Sequence, residues 1–310
     1  MEVNFSVVIP LYNKEAYVAK TLNSVLNQTY QNFEVIIVND CSTDNSLNVV
    51  HKIDDSRFKI IKHNKNKGLS ASRNTGINAA THSYVAFLDA DDYWDSTYLE
   101  TMWNLIKEYP DESVFATHYR ENYKGKFYLP KSKLPSNTKG KSVVINDFFK
   151  INLGRLILTQ SCIVAHKDIF KMVGNYDENV TFAEDIDFYI RCFSIFNLVF
   201  LNLDLCTISN YDPNSMTNRV SHEKIFPKLH KYLNNSDSLD KFINFYIYCI
   251  YRRMKNESAR KEMRVYRNQI KYNSLSVLQI LFIYLPLPFY LFLIRVKKRL
   301  LNNGYHISSY

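Results

Sequence analysis

The sequence predicts an α/β protein: an open, mostly parallel sheet with helices on both faces, followed by a C-terminal helical, membrane-associating segment. Three observations carry this expectation. Over the first 125 residues, short apolar runs alternate with stretches of helical periodicity, the pattern of strands joined by crossover helices. One apolar run, residues 84–88, ends abruptly in Asp89-Ala90-Asp91-Asp92, three carboxylates within four positions. Residues 278–294 form a run of seventeen without a charge, followed by Arg295, Lys297, Lys298 and Arg299.

In chain order, residues 5–9 are apolar and Pro10 is expected to stop the ladder. Residues 15–28 place Val18, Leu22, Val25 and Leu26 at helical spacing. A second strand is expected at 33–38, a helix at 46–53 and a third strand at 58–61. Residues 69–80 are rich in small side chains, which suits a helix packed closely on a sheet. Strand 84–88 and helix 97–109 complete the alternation. Residues 125–141 are polar, hold Pro130 and Pro135, and read as a surface excursion. A strand is expected at 161–165 and a helix at 185–195. Helices follow at 221–272, where Leu239, Phe242, Ile243, Tyr246 and Ile250 make one apolar face. The expected divisions are an α/β domain over 1–220, a helical extension over 221–272, and a basic, hydrophobic tail over 273–310.

At 310 residues and 46% hydrophobic content the chain is long enough to bury a sizeable core. It opens without a charged leader before the first apolar run, so no cleavable signal is expected. Five scattered cysteines, odd in number and without a Cys-x-x-Cys pair, suit reduced thiols better than a disulfide framework or a zinc site. The net charge of +9 belongs to one segment. Residues 251–301 hold twelve Lys/Arg against two Glu, and the remainder holds 27 against 28 acidic residues. A basic segment without a nucleic-acid motif gives no support to nucleic-acid binding.

Right-handed crossovers would bring the loops after successive strands to one sheet edge, where open α/β sheets bind ligands. After the first strand come Pro10-Leu11-Tyr12-Asn13, in which Tyr12 is suited to stack on a flat ring. After the second comes Asp40, an acceptor for a base N–H or equally a turn residue. After the third, Asn66-Lys67-Gly68 leads into a helix carrying Arg73 one turn in, suited to an anion. The fourth is the acidic turn. Crowded carboxylates repel, so a positive partner is expected there, and oxygen-rich sites suit Mg²⁺ or Mn²⁺. A solvated turn capped by Asp92 or Asp95 is the plainer alternative. The Walker loop and the Gly-x-Gly-x-x-Gly fingerprint are both absent, which disfavours P-loop kinases and NAD-dependent dehydrogenases.

Five motifs in this order carry a resemblance. They are Val8-Ile9-Pro10-Leu11-Tyr12-Asn13, Val38 to Asp44, Gly68 to Asn74, Asp89-Ala90-Asp91-Asp92 and Ala183-Glu184-Asp185. Residues 4–220 resemble glycosyltransferase family 2. The resemblance implies a GT-A fold and inverting transfer from a nucleotide sugar, usually a UDP-sugar, with Mn²⁺ or Mg²⁺ at the Asp-x-Asp site. It assigns Pro10, Tyr12, Asp40, Asn66 and Arg73 to the nucleotide, Asp89 to the ribose or sugar side, and Asp91 to the metal. Asp185 becomes the base and Glu184 its neighbour that orients. Trp94 and Asp92 would line the donor and acceptor side, although a tryptophan there serves equally as packing. Where family members often carry a histidine that reaches the metal, this chain has Asp212, with His222 a competing ligand. Sugar nucleotidyltransfer is a second reading, disfavoured because a glycine-rich entry loop followed by Thr-Arg is missing. A catalytically inactive nucleotide-sugar-binding protein is a third, disfavoured by the intact Glu184-Asp185 pair and Asp91.

A spanning helix needs ~20 apolar residues, and the uncharged run is interrupted by Pro286 and Pro288. A shallow helix–break–helix on the inner leaflet fits better than a span, with the flanking arginines and lysines facing anionic headgroups. Packing of the same helices on protein is the alternative. Lipid-linked glycans assembled at that surface would then be the expected acceptors.

Overall fold

The computed structural model describes residues 3–123, 125–209 and 224–302. Asp212 and His222 lie outside the described residues. Contacts divide the chain into two compact units, Met1–Asn218 with Ile225–Pro227, and Arg219–Lys224 with Lys228–Tyr310.

The first unit contains, in order, β1 (Phe5–Leu11), α1 (Val18–Leu26), β2 (Phe33–Asn39), α2 (Ser46–His51), β3 (Phe58–Lys62), α3 (Leu69–Ala79), β4 (Tyr84–Phe87), β5 (Tyr93–Trp94) and α4 (Tyr98–Glu108). It continues through β6 (Val114–Tyr123), β7 (Lys126–Tyr128), β8 (Ser142–Ile145), α5 (Phe148–Ile151), β9 (Ile163–His166), α6 (Ile169–Val173), α7 (Glu184–Phe193) and β10 (Leu198–Ser209). All strands join one sheet in the order β3-β2-β1-β4-β9-β6-β10-β5, with β7 on β6 and β8 on β10. The pairs β3–β2, β2–β1, β1–β4 and β6–β10 are parallel, and β9 runs antiparallel between β4 and β6. The chain winds outward from β1 to β3 and then returns to β4 on the other side of β1. That reversal opens a crevice past the carboxyl ends of β1 and β4, the usual ligand position in such sheets.

The core follows from strand composition. All seven residues of β1 are buried, as are Val35 to Val38 and Val85 to Phe87, because a parallel sheet covered on its faces has no wet side. Small side chains in α3 do what their sequence suggests. A Cβ on Gly76 would meet Val8 Cγ1 at 2.2 Å, so the helix backbone lies directly against β1. That close approach carries Arg73, on the same helix, down towards the sheet.

Two expectations need correction. Pro10 does not end the strand: β1 continues to Leu11 and pairs in register with β2 through Pro10↔Val38 and Leu11↔Asn39. The β4 ladder on the other side ends at Val8↔Phe87, so the N–H that proline lacks has no ladder partner to serve. Two strands that were not expected, β6 and the twelve-residue β10, pair with each other inside the sheet. Register shifts between Leu201 and Cys206 break the two-residue alternation of β10, which blurs its signal in sequence.

The second unit contains α8 (Asp237–Asn256), α9 (Arg260–Gln269), α10 (Val277–Tyr284) and α11 (Leu287–Asn302). Four of the five residues expected on one face of α8, Leu239, Phe242, Ile243 and Ile250, are buried, and Tyr246 is half-buried. The uncharged run forms helix, break and helix, as its prolines suggest; only Pro286 interrupts, because Pro288 falls in the first turn of α11, where a proline is tolerated. The carbonyls freed at the break are satisfied by the buried Lys255, whose Nζ donates to Phe282 O (2.6 Å), Ile283 O (3.0 Å) and Leu285 O (2.8 Å). No helix among the described residues is long and apolar enough to cross a membrane.

Candidate functional site

The loops after β1, β2, β3 and β4 meet at one edge of the sheet and are tied together by side chains. Asn13, in the left-handed region at φ 50°, accepts at Oδ1 from the Thr43 backbone N–H at 2.8 Å. Lys14 donates its backbone N–H to Ser46 Oγ at 2.7 Å. These contacts join the first loop to the second. Thr21 on α1 donates its hydroxyl to Ala90 O (2.9 Å) and Asp92 O (2.7 Å), which holds the acidic turn from beneath.

Asp40 is buried and its carboxylate is fully engaged. Oδ1 accepts from Lys67 N at 2.8 Å and meets His63 Nδ1 at 2.7 Å, and Oδ2 accepts from Gly68 N at 2.8 Å. Gly68 stands at φ 92°, a conformation that a side chain would strain, and this turns two successive N–H groups towards Asp40. His63 is held on its other side by Thr75 Oγ1 at 2.9 Å. Nothing in the sequence marked His63, since its role comes from β3 delivering it beside Asp40. Tyr12 and Asn66 are exposed at the same edge, and Pro10 lies buried beneath them.

Arg73 reaches the acidic turn and also Glu184, 111 residues further along the chain. Its Nη1 donates to Glu184 Oε1 at 2.8 Å, and its Nη2 donates to Asp89 Oδ1 at 2.9 Å and Oδ2 at 3.3 Å. The side chain is 2% exposed. Burial opposes its charge, but Asp89 and Glu184 outweigh burial and raise its pKa above the ordinary arginine value. The sequence suggested an arginine directed at a phosphate. In the fold its two terminal nitrogens instead clamp the acidic turn to the Glu184-Asp185 pair, a geometry that suits a planar fork with several donors.

Glu184 and Asp185 open α7 immediately after Ala183, which adopts φ 62°. A left-handed alanine costs about 1 kcal/mol or more, and such strain persists where surrounding contacts hold it in place. Asp185 accepts from Ile186 N at 2.8 Å. Burial first, and Glu184 second, push its pKa up to about 7. A carboxylate with that value is matched to proton uptake near neutrality.

In the acidic turn each carboxylate has its own partner. Asp89 has Arg73. Asp91 pairs with Lys14, Oδ2 to Nζ at 2.6 Å, and burial raises its pKa against the pull of that ammonium. Asp92 is buried, accepting from Ser161 Oγ at 2.6 Å and Ser209 N at 3.0 Å; burial and then its acidic neighbours raise its pKa well above the usual range. Asp92 therefore braces the turn against β10 and the Ser161 segment and does not line a pocket. Trp94 is likewise internal. It is 3% exposed, donates Nε1–H to Ser161 O at 2.7 Å and stacks on Tyr98 at 4.2 Å between ring centres. A tryptophan on a two-residue strand paired with β10 has no open side to offer a sugar. Sequence reasoning asked for a cation at the acidic turn and passed over Lys14, which lies in the loop just before α1 begins at Val18. Among the described residues no group of three metal-binding side chains converges.

This arrangement, a doubly wound sheet with an acidic turn beside its switch point and a second acidic pair clamped next to it by Arg73, is that of an α/β protein whose ligand site lies at the carboxyl ends of its strands. Residues 6–174 match the family model for glycosyl transferase family 2, and the chain belongs to that family. It is 39% identical over 126 residues to Glycosyltransferase GlyA of Streptococcus pneumoniae, an alignment covering 40% of this chain and 18% of that protein. It is 41% identical over 113 residues to the Escherichia coli UDP-Glc:alpha-D-GlcNAc-diphosphoundecaprenol beta-1,3-glucosyltransferase WfaP, covering 36% of this chain and 44% of that one. The chain thus spans less than half the length of either. In fold it is similar to S. aureus TarS 1-349 in complex with UDP-GlcNAc, with a TM-score of 0.61 and 20% identity over 92% of this chain and 77% of that one.

Proposed function

We propose that the protein is an inverting glycosyltransferase that moves a sugar from a nucleotide diphosphate, preferentially a UDP-sugar, to a hydroxyl of a glycan or lipid-linked acceptor. The observation that carries this reading is the Arg73 clamp, which holds the acidic pair next to the acidic turn at the switch point of the sheet. Inversion needs a base on the acceptor side and charge stabilisation on the leaving side. Asp185, with a pKa of about 7, takes the proton of the attacking hydroxyl. Glu184 is held by Arg73 and so orients its neighbour without reacting itself. Tyr12 offers its exposed ring to the base, and the Asn66–Gly68 turn, locked onto Asp40, shapes the nucleotide pocket.

The donor set fits a hard cation shared with a diphosphate. Asp91 is an oxygen ligand at the crevice, still 17% exposed, and Mg²⁺ or Mn²⁺ commonly binds through one or two carboxylates plus substrate phosphates. Asp91 would hold it; Asp212 and His222, the further candidates from the sequence, lie outside the described residues. Bound there, such an ion neutralises charge on the departing diphosphate. Calorimetry with UDP is expected to show binding that strengthens when Mn²⁺ is present, and a panel of UDP-sugars should yield slow hydrolysis releasing UDP. Neither heat nor hydrolysis with any nucleotide sugar would end the reading.

Relatives named for a diphosphoundecaprenol acceptor support a membrane-bound substrate here as well. In the second unit Val277, Leu278, Leu281 and Tyr284 are exposed along α10, and Phe289, Phe292, Leu293 and Val296 along α11 at i, i+3, i+4, i+7 spacing. No acidic residue follows Glu262, whereas Arg264, Arg267, Lys271 and the 295–299 cluster are basic. An apolar stripe flanked by positive charge matches an anionic bilayer surface at the inner face of the cell membrane, entered in plane. The double variant Leu281→Glu/Phe292→Glu should stay folded, since both side chains are exposed, and should no longer float with vesicles containing phosphatidylglycerol. Unchanged flotation would remove the membrane from the proposal.

A further inference from the structure

We propose that Lys14 is the resident counter-ion of Asp91, which a divalent cation must displace, so that the cation is admitted together with the diphosphate that receives the released ammonium. The inference rests on the metal reading above and extends it to a residue that the reading does not use.

The geometry is specific. Lys14 follows β1 and Asp91 follows β4, so their 2.6 Å ion pair crosses the crevice at the switch point of the sheet. Both side chains are largely sheltered, at 18% and 17% exposure, which makes the pair stronger than one in open water. Neither end wanders. The backbone of Lys14 is pinned by Ser46 Oγ, beside Asn13 and its bonds to the second loop, and the acidic turn is pinned by Thr21. The charged groups facing Asp91 are Lys14 and, within the turn, Asp89, whose own charge is taken by Arg73, and the buried Asp92.

An ammonium and a divalent cation compete for one carboxylate oxygen, because a single and a double positive charge within ~4 Å repel by ~2 kcal/mol in water and several-fold more at protein-like dielectric. Metal binding to the free protein therefore works against Lys14. Once a diphosphate is present the flexible lysine stem has a new acceptor of high charge, a role for which a point-charge ammonium is suited. Nucleotide and metal become mutually dependent, and the coupling must be reciprocal. The consequence is a crevice that keeps its charge balanced when empty and takes up metal only with the ligand it serves.

Titration of Mn²⁺ followed by the electron paramagnetic resonance signal of the free aqua ion tests this without turnover. Without nucleotide, Lys14→Met and Lys14→Gln are each expected to bind Mn²⁺ ~10-fold more tightly than wild type. Lys14→Arg, which keeps the charge, should match wild type. With Mn²⁺ saturating, UDP should bind Lys14→Met ~10-fold more weakly, shrinking the coupling from both sides. Asp91→Asn should erase the difference between lysine and methionine at position 14. Mn²⁺ affinities that do not change with the residue at position 14, or no Mn²⁺ binding by any variant even with UDP, would overturn the proposal. If UDP-sugar turnover is seen while Mn²⁺ affinity ignores position 14, this inference alone falls. If Mn²⁺ tightens in Lys14→Met but no nucleotide sugar binds, the transferase reading falls and the counter-ion role stands.

Discussion

Asp185→Asn is expected to give a folded protein whose sugar transfer is ~10²–10⁴-fold slower, the usual worth of a positioned general base. The wild-type rate should rise with pH through about 7, because Asp185 must lose its proton to act and its pKa is raised to about that value, first by burial and then by Glu184. The asparagine variant should lack that rising limb. Stability moves the other way. A carboxyl whose pKa is higher in the folded state than in the unfolded chain stabilises the fold at pH values below the unfolded pKa. That contribution is lost as pH climbs through the folded value near 7. At pH 8 wild type therefore carries the cost of a half-buried, partly desolvated anion that the amide avoids. Thermal melting at pH 8 should show Asp185→Asn at or above wild type. Turnover near wild type, or a clear loss of stability at pH 8, would remove Asp185 from the role of base.

The second large effect is expected at Arg73. Arg73→Met removes the cation that answers both Asp89 and Glu184 and leaves two anions at a site where the guanidinium itself was 2% exposed. Breaking one side of a buried ion network commonly costs ~3–5 kcal/mol. Asp89 is 31% exposed and can relax towards water, so the lower end applies. A loss of ~3 kcal/mol in a unit of this size lowers Tm by roughly 6–12 °C. Transfer should fall as well, since the pair at the start of α7 loses the bond that holds it beside the acidic turn. Arg73→Lys should recover part of the stability and little of the rate, because one ammonium lacks the fork that reaches both acids. An Arg73→Met protein that melts within a degree of wild type would refute the clamp.

Much of this protein is readable from its residues in order. The alternation of β1 through α4, the tight seat of α3, the break in the C-terminal run and the acidic ends of the strands all rest on local patterns: apolar periodicity, small residues, prolines and clustered charge. Local pattern cannot say which side chains answer one another across the fold, and that is where the reading needed revision. Asp92 and Trp94 look like pocket residues in the sequence, yet hydrogen bonds from Ser161 and Ser209 and stacking on Tyr98 turn both inward. Arg73 looks free to meet a phosphate until α3 settles against Val8 and carries it between two carboxylates. His63 and Lys14 carry no motif of their own and acquire their roles only when β3 and β1 deliver them beside Asp40 and Asp91.

The sequence alone thus determined that strands would end in acidic and glycine-containing loops on a parallel sheet, because strand and helix periodicity and the chemistry of carboxylates are properties of short segments. Only the tertiary structure decided how the charges are balanced. A carboxylate takes whichever cation or hydroxyl the packing brings within about 3 Å, and residues distant along the chain come that close only once the sheet has closed the gaps between them.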